Sequence, residues 1–402
     1  MRFLPLLVLL ASLSACSSSA PILPPAELVE LENKLDIKRL WQRQVGFGAS
    51  DKFLIFTPII DNQTGYSIDH EGLVMAWTLS DGKVLWRQNL HTSAASAITL
   101  DKTHLYFGTS KGEVFALDKL NGKQVWKQQL TSEVLSPPVS YAEYLVVRTV
   151  DGRIHTLHSA TGKQAWAHDR TMPVLSLRGT SNPVVSNNIV ISGADNGKLT
   201  ALALSNGNLL WETTISIPRG RNEIERLVDI DAQPVVKDGV IYTVAYQGRL
   251  AAVKLDSGRI LWVRDISSYT GMVIDSNKIY ISDADGLVWA LDRFNGATIW
   301  KQDRLLRRNL SRPAFQGRYL VAGDFNGYLH WMGRDDGRLV ARTQLGYSLF
   351  DEMDSDELTY DPDEWVFSKT RNILAQPVVR GDIAVAITRA GLLSAYRVRE
   401  ME

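Results

Sequence analysis

Residues 112–126 read GEVFALDKLNGKQVW, and this stretch decides the fold. Two glycines enclose nine residues rich in strand-forming side chains, and a tryptophan stands four positions after the second glycine. Asn121 and Gly122 form a dipeptide that accepts positive φ in hairpin turns. The residues between the glycines predict a β-strand. The stretch therefore predicts two antiparallel strands joined by a tight turn, with the tryptophan on the second strand.

The same unit recurs along the chain. Six complete copies begin at Gly72, Gly112, Gly152, Gly197, Gly248 and Gly286 and end at Trp86, Trp126, Trp166, Trp211, Trp262 and Trp300. A seventh copy has Ala341 in place of the tryptophan, and an eighth begins at Gly391. Four short strands in about forty residues are typical of a propeller blade. We therefore expect an all-β, eight-bladed β-propeller of four-stranded blades.

The eighth unit lacks a final strand, and the N-terminal part of the chain supplies a match. Residues 38–45 read KRLWQRQV and resemble the last strand of other units, such as VLWRQNL at residues 84–90. We therefore expect the strand of Trp41 to pair into the blade that begins at Gly391. Such an exchange closes the ring and removes open sheet edges.

A small residue accompanies each tryptophan. The fourth position after the first glycine is Ala76, Ala116, Ala201, Ala252, Ala290 and Ala395, with Thr156 and Trp331 as exceptions. This pairing predicts that each tryptophan packs where neighbouring blades meet. A sugar site lined by tryptophans is the weaker interpretation, because equal spacing is what repeated packing requires.

The N-terminal residues resemble a lipoprotein signal. Arg2 precedes an apolar stretch at residues 3–13, and Leu-Ser-Ala-Cys at residues 13–16 resembles a lipobox. We expect a signal peptide at 1–15, a lipidated Cys16 followed by a tether to residue 36, and one propeller domain at 37–402. Acyl chains on Cys16 would hold the protein to a membrane. An ordinary secretory signal with an incidental cysteine is the alternative.

Composition and spacing give no sign of catalysis. The chain has 44 basic and 44 acidic residues, so it lacks the basic excess of nucleic-acid-binding proteins. Cys16 is its only cysteine, which excludes an intrachain disulfide. His155 and His158 stand three apart on a predicted strand and so face opposite sides, which rules out a shared metal. We expect no catalytic residue, no metal site and no cofactor.

Three links between blades are longer than the others. They run 17, 23 and 36 positions, from Trp166 to Pro183, from Trp211 to Pro234 and from Ala341 to Pro377. Each falls after the last strand of one blade and before the first strand of the next, so all three should emerge on one face. Binding residues concentrate in loops on a rigid scaffold. This face is therefore the predicted binding surface.

The units are similar to the quinoprotein-type propeller repeat, which the dehydrogenases that use pyrroloquinoline quinone (PQQ) share with the BamB family. The lipobox, the eight units, LSLRG at residues 175–179 and IERLVDID at residues 224–231 resemble the BamB family. That resemblance implies a non-catalytic scaffold lipoprotein on the periplasmic face of the outer membrane, within the machinery that inserts β-barrels. Ser17, in place of the aspartate that retains lipoproteins at the inner membrane, implies the same location.

The resemblance also implies a partner and the residues that bind it. The partner is the POTRA region of BamA, with nascent outer-membrane proteins as further candidates, and the matching residues are Leu175, Leu177, Arg178, Asp229 and Asp231. Contact through these loops and pairing of a partner strand with a blade edge both remain open. Arg178 pairing with either aspartate inside the chain, and the two leucines folding into the core, also remain open.

Two other functions remain as alternatives. PQQ-dependent dehydrogenases resemble one another in a vicinal disulfide and a calcium site, and a chain whose only cysteine is Cys16 cannot form that disulfide. A glycan-binding periplasmic propeller is the other alternative.

An acidic insertion departs from the family pattern. Residues 351–364 include eight acidic residues and no basic ones. The preceding link contains Arg304, Arg307, Arg308 and Arg312. One hypothesis is that the two loops attract each other across the same face; the other is that the acidic loop has no such role.

Overall fold

A computed structural model describes residues 23–49, 52–169, 181–194, 196–217, 228–346 and 371–401. Within these ranges the regular structure is entirely β, and the strands form eight four-stranded antiparallel sheets. The fold is the expected eight-bladed β-propeller. Cys16, Leu175, Leu177, Arg178 and the acidic residues 351–364 lie outside the described ranges.

The first four blades follow the chain in order. Blade 1 contains β2 (Ile59–Asp61), β3 (Thr64–Ile68), β4 (Leu73–Thr78) and β5 (Val84–Asn89). Blade 2 contains β6 (Thr99–Leu100), β7 (His104–Gly108), β8 (Glu113–Asp118) and β9 (Gln124–Gln129). Blade 3 contains β10 (Val139–Tyr141), β11 (Tyr144–Arg148), β12 (Ile154–His158) and β13 (Gln164–His168). Blade 4 contains β14 (Val184–Ser186), β15 (Ile189–Gly193), β16 (Lys198–Ala203) and β17 (Leu209–Thr214).

The remaining blades include the one that joins the two ends of the chain. Blade 5 contains β18 (Val235–Lys237), β19 (Val240–Val244), β20 (Leu250–Lys254) and β21 (Ile260–Arg264). Blade 6 contains β22 (Met272–Ile274), β23 (Lys278–Ser282), β24 (Val288–Asp292) and β25 (Thr298–Gln302). Blade 7 contains β26 (Ala314–Gln316), β27 (Tyr319–Gly323), β28 (Tyr328–Gly333) and β29 (Leu339–Gln344). Blade 8 contains β30 (Val378–Arg380), β31 (Ile383–Ile387), β32 (Leu392–Glu400) and β1 (Leu35–Gln44).

Blade 8 closes the ring as the sequence predicts. Its strand order is β30, β31, β32 and β1, and Trp41 lies opposite Ala395. The short first strands of neighbouring blades approach one another around the centre, and β2 of blade 1 approaches β30 of blade 8. The N-terminal strand β1 is therefore the outer, fourth strand of blade 8. In every other blade the fourth strand directly follows the third strand in the sequence.

The tryptophans join each blade to the next, as predicted. The indole Nε1 of Trp41, Trp126, Trp166, Trp211, Trp262 and Trp300 donates to a main-chain oxygen of the following blade, at 2.7–3.2 Å. Each ring also packs on the second glycine of that blade, where a side chain would collide with it. The small residue lies directly across the strand pair, as Ala116 does opposite Trp126.

In blade 7 the large and the small residue change places: the tryptophan is on the third strand and the alanine on the fourth. The reason is that blade 8 has no turn between its third and fourth strands on which a tryptophan could pack. Trp331 and Ala341 lie opposite each other, and both are fully buried. In blade 8 the third and fourth strands, β32 and β1, come from opposite ends of the chain, so no glycine turn joins them. The exception in the seventh repeat is thus a consequence of how the ring closes.

The antiparallel order gives the propeller two rims. The connector rim carries the links from each fourth strand to the next blade, together with the turns between second and third strands. The hairpin rim carries the turns between first and second and between third and fourth strands. All the blade-to-blade links begin and end on the connector rim, as predicted, although residues 170–180, 218–227 and 347–370 within the three long ones lie outside the described residues.

Candidate partner-binding rim

Residues 228–232 belong to the last described part of the link between blades 4 and 5. They lie between the turns that join the second and third strands of those two blades. The amide of Ile230 donates to the main-chain oxygen of Ala194 at 3.3 Å, and its side chain fills the space where Gly193 has none. The amide of Tyr246 donates to the main-chain oxygen of Asp229 at 2.8 Å. Ile230 is therefore bound to blade 4, and the preceding Asp229 is bound to blade 5.

The main-chain role of Asp229 is repeated around the ring. At the equivalent place in other links the acceptor oxygens belong to Ser93, Glu133, Ser267, Arg308 and Asn372, each bound by an amide of the adjacent turn. Glu133, Asp229, Arg308 and Asn372 each stand five residues before a proline. Arg178 stands at the same distance before Pro183. Asp229 thus falls at a position with a fixed structural role, whereas Arg178 lies outside the described residues.

The two predicted aspartates differ in exposure. Asp229 is fully buried, with 0% of its surface exposed, whereas Asp231 is partly exposed. Of these two residues, only Asp231 is therefore partly accessible at the connector rim. The contacts of both with a partner stay a prediction, as do those of Leu175, Leu177 and Arg178.

An aromatic group continues this surface from blade 5 to blade 7. The rings of Tyr246 and Tyr269 meet edge to face with centroids 6.2 Å apart. The hydroxyl of Tyr269 donates to Asn309 of the next link. Burial, with smaller contributions from Tyr246 and Asp283, raises the pKa of Tyr269 to about 12. Its hydroxyl therefore remains a donor at neutral pH, and 38% of the residue is exposed.

Sequence reasoning missed a fourth long link, between β1 and β2. Trp41 and Pro58 are 17 positions apart, the same spacing as in the shortest of the three long links identified above. This link exposes Phe47, Phe53 and Ile55 on the connector rim, with Phe53 91% exposed. The spacing from Trp41 to Pro58 is the signal in the sequence that indicates this link.

The basic link between blades 6 and 7 is largely engaged in the fold. Arg308 is buried and its Nε donates to Asp324 at 2.8 Å. Arg312 donates from Nε to the main-chain oxygen of Met272 at 2.8 Å, and Arg307 donates to that of Pro24 at 2.6 Å. Three of the four arginines thus have partners other than the acidic residues 351–364, which weakens the hypothesis that the two loops attract.

A buried charged group lies beneath this link. Asp324 and His330 are fully buried, and Asp324 accepts from His330 Nε2 at 2.9 Å as well as from Arg308. Burial lowers the pKa of His330, so it is neutral in the fold. Burial acts to raise the pKa of Asp324, but the hydrogen bond to His330 and the electrostatic effects of His330 and Arg308 together outweigh burial and lower it. This group is closed to solvent and has a structural role.

The described residues offer no metal site. Among them, no group of three or more His, Cys, Asp or Glu side chains could hold an ion. His155 is buried while His158 is exposed, so the two side chains face opposite sides as predicted.

No helix in the described part of the chain is long and apolar enough to cross a membrane.

Comparison with known proteins identifies the family. A family model described as outer membrane protein assembly factor BamB matches residues 70–302. A protein of that name from Pseudomonas aeruginosa is 42% identical over 395 residues, which cover 98% of each chain. The chain belongs to the BamB family. The resemblance noted in the sequence is thereby confirmed.

Solved structures of similar fold include a BamB and a dehydrogenase. The crystal structure of BamB from Moraxella catarrhalis has a TM-score of 0.76 at 22% identity, and the match covers 90% of this chain and 100% of that one. A quinohemoprotein alcohol dehydrogenase from Pseudomonas putida has a TM-score of 0.68 at 11% identity, with 91% of this chain and 77% of that chain covered. Both matches support the propeller fold of this BamB-family chain.

Proposed function

We propose that this chain is a non-catalytic scaffold of the outer-membrane β-barrel assembly machinery. In this proposal Cys16 carries the lipid anchor, the propeller stands on the periplasmic face of the outer membrane, and the connector rim binds the POTRA region of BamA. Membership of the BamB family carries the proposal, and the long links gathered on one rim support the choice of surface.

The connector rim is suited to binding because the blades hold its link residues in fixed positions. Residues 228–232 are fixed between two blades by main-chain hydrogen bonds and by the burial of Val228 and Ile230. Partly exposed Asp231 thus lies in a segment of fixed position on the connector rim. Binding by a preformed surface avoids the entropic cost of ordering loops on contact.

A quinone-dependent enzyme is the weaker alternative. The dehydrogenase neighbour shares the fold at 11% identity, and fold alone does not determine function. The single cysteine, Cys16, also cannot form the vicinal disulfide expected of that enzyme class. We therefore propose no cofactor and no catalytic residue, and PQQ with calcium should neither bind nor support dye reduction.

Charge reversal on the rim tests the binding surface. We expect Arg178→Glu and Asp231→Arg each to weaken capture by an immobilised POTRA region about thirtyfold or more, since disrupting one partner of a buried, hydrogen-bonded charge pair in an interface costs about 2–5 kcal/mol. Titration calorimetry or biolayer interferometry measures the change. Glu143→Arg is the control, because Glu143 is exposed on the hairpin rim.

The alternative of an internal ion pair predicts a different result. If Arg178 only holds two loops together, Arg178→Glu lowers the thermal midpoint and leaves the affinity of the folded protein unchanged. Unaltered binding by well-folded Arg178→Glu and Asp231→Arg proteins would overturn the choice of surface. Equal loss with the Glu143→Arg control would overturn it as well.

A further inference from the structure

Residues 23–34, here called the strap, precede β1 and lie along β29, the outer strand of blade 7. The amide of Lys34 donates to the main-chain oxygen of Val340 at 2.8 Å. The side chain of Asn33 accepts from the amide of Arg342 at 2.8 Å and donates to its main-chain oxygen at 3.1 Å. Asn33 thus binds the main chain of β29 as a neighbouring strand would.

The other end of the strap is fastened to the connector rim. The amide of Ala26 donates to the main-chain oxygen of Leu306 at 2.9 Å. Arg308 donates to the main-chain oxygen of Ala26 at 3.0 Å, and Arg307 donates to that of Pro24 at 2.6 Å. The chain therefore leaves the propeller at the link between blades 6 and 7.

This attachment rests on fixed groups. Arg308, which binds Ala26, is held by the buried carboxylate of Asp324 and lies over the ring of Phe325 at 4.9 Å. Leu28 packs against the apolar cluster between blades 6 and 7, together with Leu305 and other buried residues. An arginine already ordered by a buried partner loses little further freedom when it binds the strap.

The strap shortens the free part of the chain. Pro24 stands eight positions after Cys16, and an extended chain of that length spans about 29 Å at most. Without the strap, the first fixed residue would be Leu35, 19 residues from Cys16, and the span would reach about 68 Å. The rims lie about 20 Å apart, since most second and third strands have five or six residues. The shorter tether can therefore reach a bilayer at the hairpin rim only when it is largely extended, whereas the longer tether reaches one at either rim while slack.

We propose that the strap orients the propeller on a lipid bilayer, by fixing the tether at the connector rim so that this rim faces the membrane surface. The inference deepens the proposed function, because it depends on an anchor at Cys16. A tether attached at the connector rim keeps that rim close to the bilayer. A tether starting at Leu35 would leave from the hairpin rim and would be long enough to permit either orientation.

Energy transfer to the bilayer tests the orientation. A fluorescent amino acid is placed at position 285 on the connector rim or at position 276 on the hairpin rim, both exposed and both in blade 6. The lipidated protein is reconstituted into phosphatidylethanolamine–phosphatidylglycerol vesicles that carry an acceptor lipid. We expect stronger transfer from position 285 than from position 276. Equal transfer, or stronger transfer from position 276, would overturn the proposal.

Two variants test the strap itself. Leu28→Ser combined with Asn33→Ala removes its apolar contact and its pairing with β29, and we expect the difference between the two positions to be lost. A Gly-Ser segment inserted between residues 22 and 23 lengthens the tether without touching the strap, and it should have the same effect. Glu30→Ala, an exposed site within the strap, should change nothing. A difference that survives both variants would overturn the proposal.

Failure of lipidation is a separate outcome. If the protein does not float with vesicles, or if its Cys16→Ser variant floats equally well, the anchor at Cys16 in the proposed function is overturned. In that case the mature chain is coupled through the Cys16 thiol to a maleimide-headgroup lipid, and the same transfer comparison still decides whether the strap orients the propeller.

Discussion

Gly122 shows, at the scale of single residues, why the repeat keeps a fixed distance between glycine and tryptophan. Its φ is +72°, a region that L-residues rarely adopt, and an added Cβ would lie 2.5 Å from the ring of Trp86. The turn therefore needs glycine both for its backbone and for the ring that packs on it. Gly239 shares the same φ of +72° but has open space around it.

These two glycines give a matched prediction. Gly239→Ala should lower the free energy of unfolding by about 1–2 kcal/mol through its backbone conformation alone. Gly122→Ala should cost about 1–3 kcal/mol more, because the added methyl overpacks the contact with Trp86. Denaturant titration of both variants measures the difference. Equal losses would show that the packing of Trp86 on this turn contributes nothing.

His330 gives a pH dependence that can also be assigned to one residue. Burial lowers its pKa in the fold, while in the unfolded chain the pKa returns to about 6.5. Below that pH the unfolded state binds a proton that the folded state does not, so stability falls as the pH falls. We expect His330→Gln to reduce the drop in thermal midpoint between pH 7 and pH 5, measured by calorimetry. A drop that is the same in His330→Gln and in the parent protein would contradict the assignment to His330.

At the scale of strands and links, the glycine–tryptophan spacing predicted the repeated blades but not the segments outside the repeat. Each blade and its tryptophan followed from the glycine pattern, because identical neighbours impose identical packing. The link containing Phe53 lies outside that pattern, because it follows the N-terminal strand β1, which no first glycine of a repeat precedes. The strap left no periodic signal, since most of its hydrogen bonds use its own main-chain amides and oxygens, which almost any sequence provides.

The candidate site was predictable to the same partial extent. Asp229 and Asp231 were identified by resemblance, but their different burial depends on the segment being wedged between two blades, which a single sequence does not reveal. Conversely, the arginines of the link between blades 6 and 7 looked like a charged surface. Arg308 is in fact buried and paired with Asp324. The sequence does not reveal this pair, because it depends on a contact between that link and a turn of blade 7.

For the molecule as a whole, β1 converts an open arc of blades into a ring. It pairs with β32 over most of its length, from Leu35 opposite Glu400 to Gln44 opposite Leu392. Trp41 seals the junction with blade 1 through its bond to the main-chain oxygen of Leu79 at 2.8 Å. The ends of the chain thus hold each other, and no blade can leave the ring without breaking sheet pairing or an inter-blade contact.

Removal of β1 should therefore change the assembly state rather than merely lower stability. A chain that begins at residue 46 exposes the edge of β32, and unpaired edges recruit strands from other molecules. We expect this truncation to form dimers or larger species in size-exclusion chromatography with light scattering. A chain that begins at Leu35 loses the strap but keeps β1, and it should remain monomeric. A monomeric, cooperatively folded protein beginning at residue 46 would mean that seven complete blades and an incomplete eighth close without the N-terminal strand.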